Sequence, residues 1–122
     1  MAAPDIVNVT SILGKTALAD LTTTPTDVLT NASASDEVYK VNTILVSNID
    51  GTNNADVTVQ VRRSSVNYAL ANTITVPADA SLVVLSKETS IYLEEGDALR
   101  FTASADSDLQ TIISYEVIND SA

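Results

Sequence analysis

Two short alternating series separated by Glu95-Gly96-Asp97 constrain this chain most. In residues 91–103, Ile91 and Leu93 alternate with Tyr92 and Glu94; after the break, Leu99, Phe101 and Ala103 alternate with Arg100 and Thr102. A period of two puts successive side chains on opposite faces of an extended backbone, whereas a helix would scatter the same apolar residues around its axis. Gly and Asp interrupt the series and turn it, so the segment reads as strand, acidic turn, strand. Asp97 is expected to accept backbone hydrogen bonds inside that turn.

The same period recurs elsewhere. In residues 56–62, Val57, Val59 and Val61 alternate with Thr58, Gln60 and Arg62. In residues 67–76, Tyr68 and Leu70 alternate, then Ile74 and Val76, and Pro77 ends the strand. Residues 109–118 carry Ile113, Tyr115 and Val117 on one face, and residues 81–85 form a short apolar strand ahead of a turn at 87–89. The longest predicted strand is 38–49, whose centre, Ile44-Leu45-Val46, is apolar on both sides and suggests cover on both faces. Asp50-Gly51 after it is a hairpin signal. Short strands are also expected at 5–10, at 16–21 with Ala17, Ala19 and Leu21 on one side, and at 27–30. Pro25 argues against a central strand nearby. Residues 10–21 have partial helical spacing, but Gly14 and the threonines that follow weigh against a helix.

About eight to ten short strands at regular spacing define an all-β chain, an antiparallel β-sandwich of jelly-roll or immunoglobulin-like type. Val57, Val59, Val61, Leu99, Phe101, Tyr115 and Val117 are expected to face inward. The 122 residues fit a single domain, 1–122, with an extended N-terminal arm at 1–21, the part least like a series of sandwich strands. Ile6, Val7 and Val9 are too apolar for a free tail, so the arm is expected to pair with the sheet edge of a neighbour.

Composition removes several functions. His and Cys are both absent, which leaves neither the commonest general base nor a thiolate, and no Cys-based zinc site. The net charge of −10 opposes contact with phosphate backbones and anionic membranes, so neither nucleic acid nor membrane is an expected partner. The first residues, MAAPDIVNVT, have neither a basic nor an apolar signal region, so the protein is expected to be made in a bacterial cytoplasm and to stay soluble.

Four constellations stand out. Asp50, Asn53, Asn54 and Asp56 offer oxygens that suit calcium, but without EF-hand spacing they read first as an ordinary turn. Glu94, Glu95 and Asp97 are explained as a turn around Gly96, and no His stands by to make a catalytic pair. Tyr39, Tyr68, Tyr92 and Tyr115 fall on different strands; they suit the core rim better than a sugar platform. Arg62-Arg63, the one adjacent basic pair, is the best candidate for an ion pair with a partner surface. No catalytic, metal-binding or cofactor-binding residue is therefore assigned. The candidate interface residues are Ile6, Val7, Val9, Arg62 and Arg63.

Longer phrases carry a resemblance. VNTILVSNIDGTNNADVTVQV (41–61), NYALANTITVPADASLVVL (67–85) and the LEEGD turn with its closing strand together resemble small virion structural proteins of tailed bacteriophages. These decoration or cement-type proteins belong particularly to myoviruses of marine cyanobacteria. The resemblance implies a β-sandwich on the particle and no enzymatic activity. It also implies the major capsid protein or another virion protein as partner, and a homo-oligomer, taken as a trimer. A tail, neck or fibre module that binds a host glycan is the second reading.

Overall fold

The computed structural model describes residues 11–119. Nine strands follow one another: β1 (Ser11–Asp20), β2 (Thr26–Thr30), β3 (Glu37–Asn48), β4 (Ala55–Arg63), β5 (Val66–Val76), β6 (Ser81–Leu85), β7 (Ile91–Leu93), β8 (Ala98–Ala103) and β9 (Leu109–Asn119). One sheet has the order β1-β9-β3-β6, with β7 also paired to β3; the other has the order β2-β8-β4-β5. All pairings are antiparallel. β6 and β7 share one edge of β3, separated by a 3-10 turn at Lys87–Thr89. Most links cross from one sheet to the other. This is the strand order of a jelly roll, which settles the choice left by the sequence.

The alternating residues close the core. Val57 and Val59 from β4, Leu99 and Phe101 from β8, and Ile44, Val46 and Ile113 from the facing sheet are all buried to within 1%. Val117 is buried as well, while Val61 and Tyr115 are half-buried and packed against the core. Each Val, Leu or Phe so enclosed contributes roughly 1.5–3 kcal/mol relative to exposure. Phe101 is the only Phe of the chain, so aliphatic packing carries most of the core.

Several expectations are corrected. Residues 11–20 are not an arm: β1 pairs with β9 in unbroken register from Ser11↔Asn119 to Asp20↔Gln110. Its β-branched and alternating residues complete the chain's own sheet, so no helix forms there. The expected strand at 5–10, with Ile6, Val7 and Val9, lies outside the described residues. Asp50-Gly51 does not make a hairpin, because β3 and β4 belong to different sheets. The hairpin that does occur is β4–β5, turned by Ser64 and Ser65 with φ of 52° and 65°. Leu45 is not covered like its neighbours: Ile44 and Val46 face the core, and Leu45 is half-buried on the outer face.

The five strands at sheet edges, β1, β2, β5, β6 and the three-residue β7, differ. β2, β5 and β6 each carry register shifts against their neighbours, and β5 also bends at Thr73, whose φ is 52°. Such irregularities discourage pairing with another chain. β1 has no register shift along its ten residues.

Candidate interaction surface

The strand register assembles a feature spread across the sequence. Leu18 of β1 faces Ile112 of β9; Ile112 faces Leu45 of β3; Leu45 faces Val83 of β6. Each stands one position out of phase with the inward residues, so the four form an apolar row across the outer face. Three inter-strand steps make the row about 14 Å long. Leu18 is 71% exposed, Val83 57% and Ile112 44%. Polar residues flank it. On one side Gln110 Nε2 donates to Asp20 Oδ1 at 2.8 Å and the Ser47 and Ser81 hydroxyls meet at 3.0 Å. Thr16, Ser114 and Thr43 lie on the other side, aligned by the same register. An apolar band with a hydrogen-bonding border is the usual anatomy of a protein contact surface. No alternation within one strand reveals it, because its members come from four strands.

The opposite margin of the sandwich is open. Val61, Arg63, Tyr68, Ile91 and Tyr92 line a groove of about 360 Å³ where β5 and the short β7 leave the two sheets incompletely closed. Tyr68 is 59% exposed. The four tyrosines therefore divide. Tyr39 and Tyr115 stack at 5.4 Å between ring centroids, while Tyr68 and Tyr92 border the groove. Burial, then the nearby Glu37 carboxylate, pushes the phenol pKa of both Tyr39 and Tyr115 upward.

The two candidate arginines are held within the chain. Arg62 Nη1 donates to Asn67 Oδ1 at 3.1 Å across the β4–β5 hairpin. Arg63 grips Asp97 with two nitrogens and reaches Glu94 with one of them, at 2.9 Å. Asp97 Oδ2 also accepts the Glu94 backbone N–H at 2.8 Å, as the turn motif predicts. Burial opposes the charge on Asp97, but the Arg63 hydrogen bonds, the Glu94 N–H and the Arg63 charge outweigh it and hold the carboxyl below its ordinary value.

The Asp50 loop is similarly occupied. Asp50 Oδ1 accepts the N–H groups of Thr52 at 2.7 Å and Asn53 at 3.1 Å, the Asx-turn role. Those bonds lower its pKa. Asp108 is pushed up, by desolvation and then by the charge of Asp50. Among the described residues, no group of three or more His, Cys, Asp or Glu side chains is placed to hold a metal ion.

Two buried asparagines went unnoticed in the sequence. Asn31 Nδ2 donates to the carbonyls of Glu37 and Leu93, and Asn48 Nδ2 to those of Asn53 and Val76. Asn31 directly follows β2 and reaches the first residue of β3; Asn48 is the last residue of β3. Asn31 lies in a polar stretch and Asn48 at the end of the predicted strand; only the backbone carbonyls gathered around them reveal the role.

No protein-family model matches the chain, and no curated protein does. Among solved structures, the fold is similar to one described as Bacillus endospore appendages that form a novel family of disulfide-linked pili. The TM-score is 0.55 at 17% identity, over 91% of this chain and 90% of that one. At that identity the likeness concerns the fold.

Proposed function

We propose that this chain is a non-enzymatic structural component of a phage virion, a decoration or cement protein of the head that binds the assembled shell and sister subunits. The observation that carries the reading is the apolar row Leu18–Ile112–Leu45–Val83, bordered by hydrogen-bonding side chains on the outer face of four strands. Such a face suits adhesion to a broad, preformed surface. Many copies bound to the assembled shell and not to its free subunits would stabilise it by mass action. The jelly-roll likeness to a protein that forms pili is in keeping with a subunit role. This chain has no Cys, so its cohesion would be noncovalent. The groove beside Tyr68 and Tyr92 supports the second reading, a tail, neck or fibre module that binds a host glycan.

The test uses particles stripped of this protein. Ile112→Glu places a charge at the centre of the row without touching the core. It should leave the unfolding midpoint near wild type and abolish rebinding to the particle. Rebinding to full occupancy would show that this face does not attach the protein.

A further inference from the structure

The two margins of the sandwich match each other in level, direction and chemistry. On the inner face, Lys15 of β1 lies in one cross-strand row with Tyr115, Val41 and Ile91 of β7, and Leu13 in the next row with Val117, Tyr39 and Leu93. On the outer face, Gly14 shares a row with Glu116, Lys40 and Tyr92. Strand direction alternates throughout β1-β9-β3-β7, so the two edges of the sheet run antiparallel. A second copy set beside the first brings β1 alongside β7 in the orientation an antiparallel ladder requires.

The side chains complement each other. Leu13 is 52% exposed although it points toward the side of the sheet that holds the core. The opposite margin offers the apolar groove of Val61, Tyr68, Ile91 and Tyr92 at the same level. Lys15 is the one cation on β1, and the side chain of Glu94, next to Leu93 at the far margin, is 56% exposed. The Arg63 charge in the groove is already answered by Asp97 and Glu94. A two-fold pairing of β1 with itself is less suitable. Registers that keep the faces aligned set Lys15 against Lys15 or, one step on, Ile12 against Asp20; the step the other way sets Gly14 against Gly14 and Leu13 against Lys15.

We infer that the groove margin of one copy receives the β1 edge of the next, with Leu13 against Ile91 and Tyr68 and Lys15 toward Glu94. The contact is head-to-tail, so it generates rings or rows rather than isolated dimers. The twist of the sheet rotates each copy relative to the last. This inference rests on the proposed association of sister subunits and names the surfaces that meet. It also supplies a partner for β1, the long edge strand without a register shift. Because each copy carries a charge of −10, added salt should strengthen association by screening repulsion.

The chain lacks Cys, so engineered thiols report only the contact under test. A Cβ at Gly14 meets no atom within 4 Å, and Tyr92 is 44% exposed, so Gly14→Cys and Tyr92→Cys should both fold. Under mild oxidation, a mixture of the two single variants should give a disulfide dimer on a non-reducing gel. The double variant should give a ladder or a closed ring, and Gly14→Cys alone should give no dimer. Leu13→Asp should weaken association about tenfold by sedimentation, with an unchanged unfolding midpoint. Self-linking of Gly14→Cys, no cross-link in the mixture at the highest soluble concentration, or undiminished association of Leu13→Asp would each overturn the inference. So would a monomer whose Tyr68 groove binds oligosaccharides on a glycan array. Particle rebinding is scored separately: wild type that rebinds, while the mixed cysteine variants give no cross-link, sinks only this contact. Cross-linking without rebinding by wild type sinks only the attachment to the shell.

Discussion

Arg63 and Asp97 meet edge to edge: Nε donates to Oδ1 at 2.8 Å and Nη2 to Oδ2 at 2.6 Å, on a carboxylate whose side chain is only 1% exposed. The pair ties the end of β4 to the turn before β8. Because Arg63 is half exposed, its own desolvation is small, and the cost of losing it is the stranded carboxylate. Arg63→Met should lower stability by about 2 kcal/mol in urea unfolding at neutral pH. Arg63→Lys should recover only part of that, because an ammonium cannot meet both oxygens at once. Equal stability of Arg63→Met and wild type would mean that water satisfies Asp97.

The same carboxylate sets an acid limit. Its pKa in the fold lies below its value in the unfolded chain, about 3.9 for a free Asp. Its contribution is complete above that value and is lost as pH falls through the lower, folded one. Wild type should therefore lose stability more steeply than Asp97→Asn below about pH 4. Parallel stability curves for the two proteins in acid would contradict this.

Asp108 acts in the opposite sense. Its folded pKa is raised, so the cost of holding its charge beside Asp50 is present at neutral pH and relieved as pH falls through the raised value. Asp108→Asn should raise the melting midpoint at pH 7, and the gain should shrink in acid. Calcium should leave the wild-type midpoint unchanged, since Asp50 Oδ1 already accepts two backbone N–H groups. A rise of several degrees with calcium would instead make the loop a cation site.

The β4–β5 turn holds two serines at positive φ, where L side chains other than Asn are disfavoured. Replacing Ser64-Ser65 by Asn-Gly should stabilise the protein by about 0.5–1 kcal/mol through the matched turn. A loss of stability would show that the serine side chains make contacts of their own.

Val59→Asp and Thr58→Asp test the register. Val59 is fully buried, and an unpaired carboxylate there should cost about 4 kcal/mol or more and prevent folding. Thr58 points outward, where its hydroxyl accepts the Thr73 N–H at 3.1 Å, and a carboxylate can take over that role. Thr58→Asp should give a folded protein by circular dichroism.

The legible part of this fold was whatever repeats within a single strand. Val57, Val59 and Val61 announced β4, and Leu99 and Phe101 announced β8, because one face was buried and the other was not. β1 was harder. Its outer residues are apolar at Ile12 and Leu18, and Gly14 interrupts it, so only pairing with β9 distinguishes it from an arm. The surface row was not legible, because Leu18, Leu45, Val83 and Ile112 become neighbours only through register. The Arg63 pairing was missed for a related reason. Arg63 and Asp97 are 34 residues apart, and a basic pair at a turn gives no hint of a carboxylate arriving from another turn.

β9, the last of the described strands, sits between β1 and β3 and pairs with both along nearly its whole length. On a ribosome, β1 therefore emerges ahead of the other described strands and waits longest for a partner. Its apolar outer residues stay uncovered, with a chaperone or a stray strand able to claim them, until residues 109–119 have left the exit tunnel. A nascent chain halted before β9 should be protease-sensitive throughout the β1-containing sheet, however well the β4–β5 hairpin has already formed.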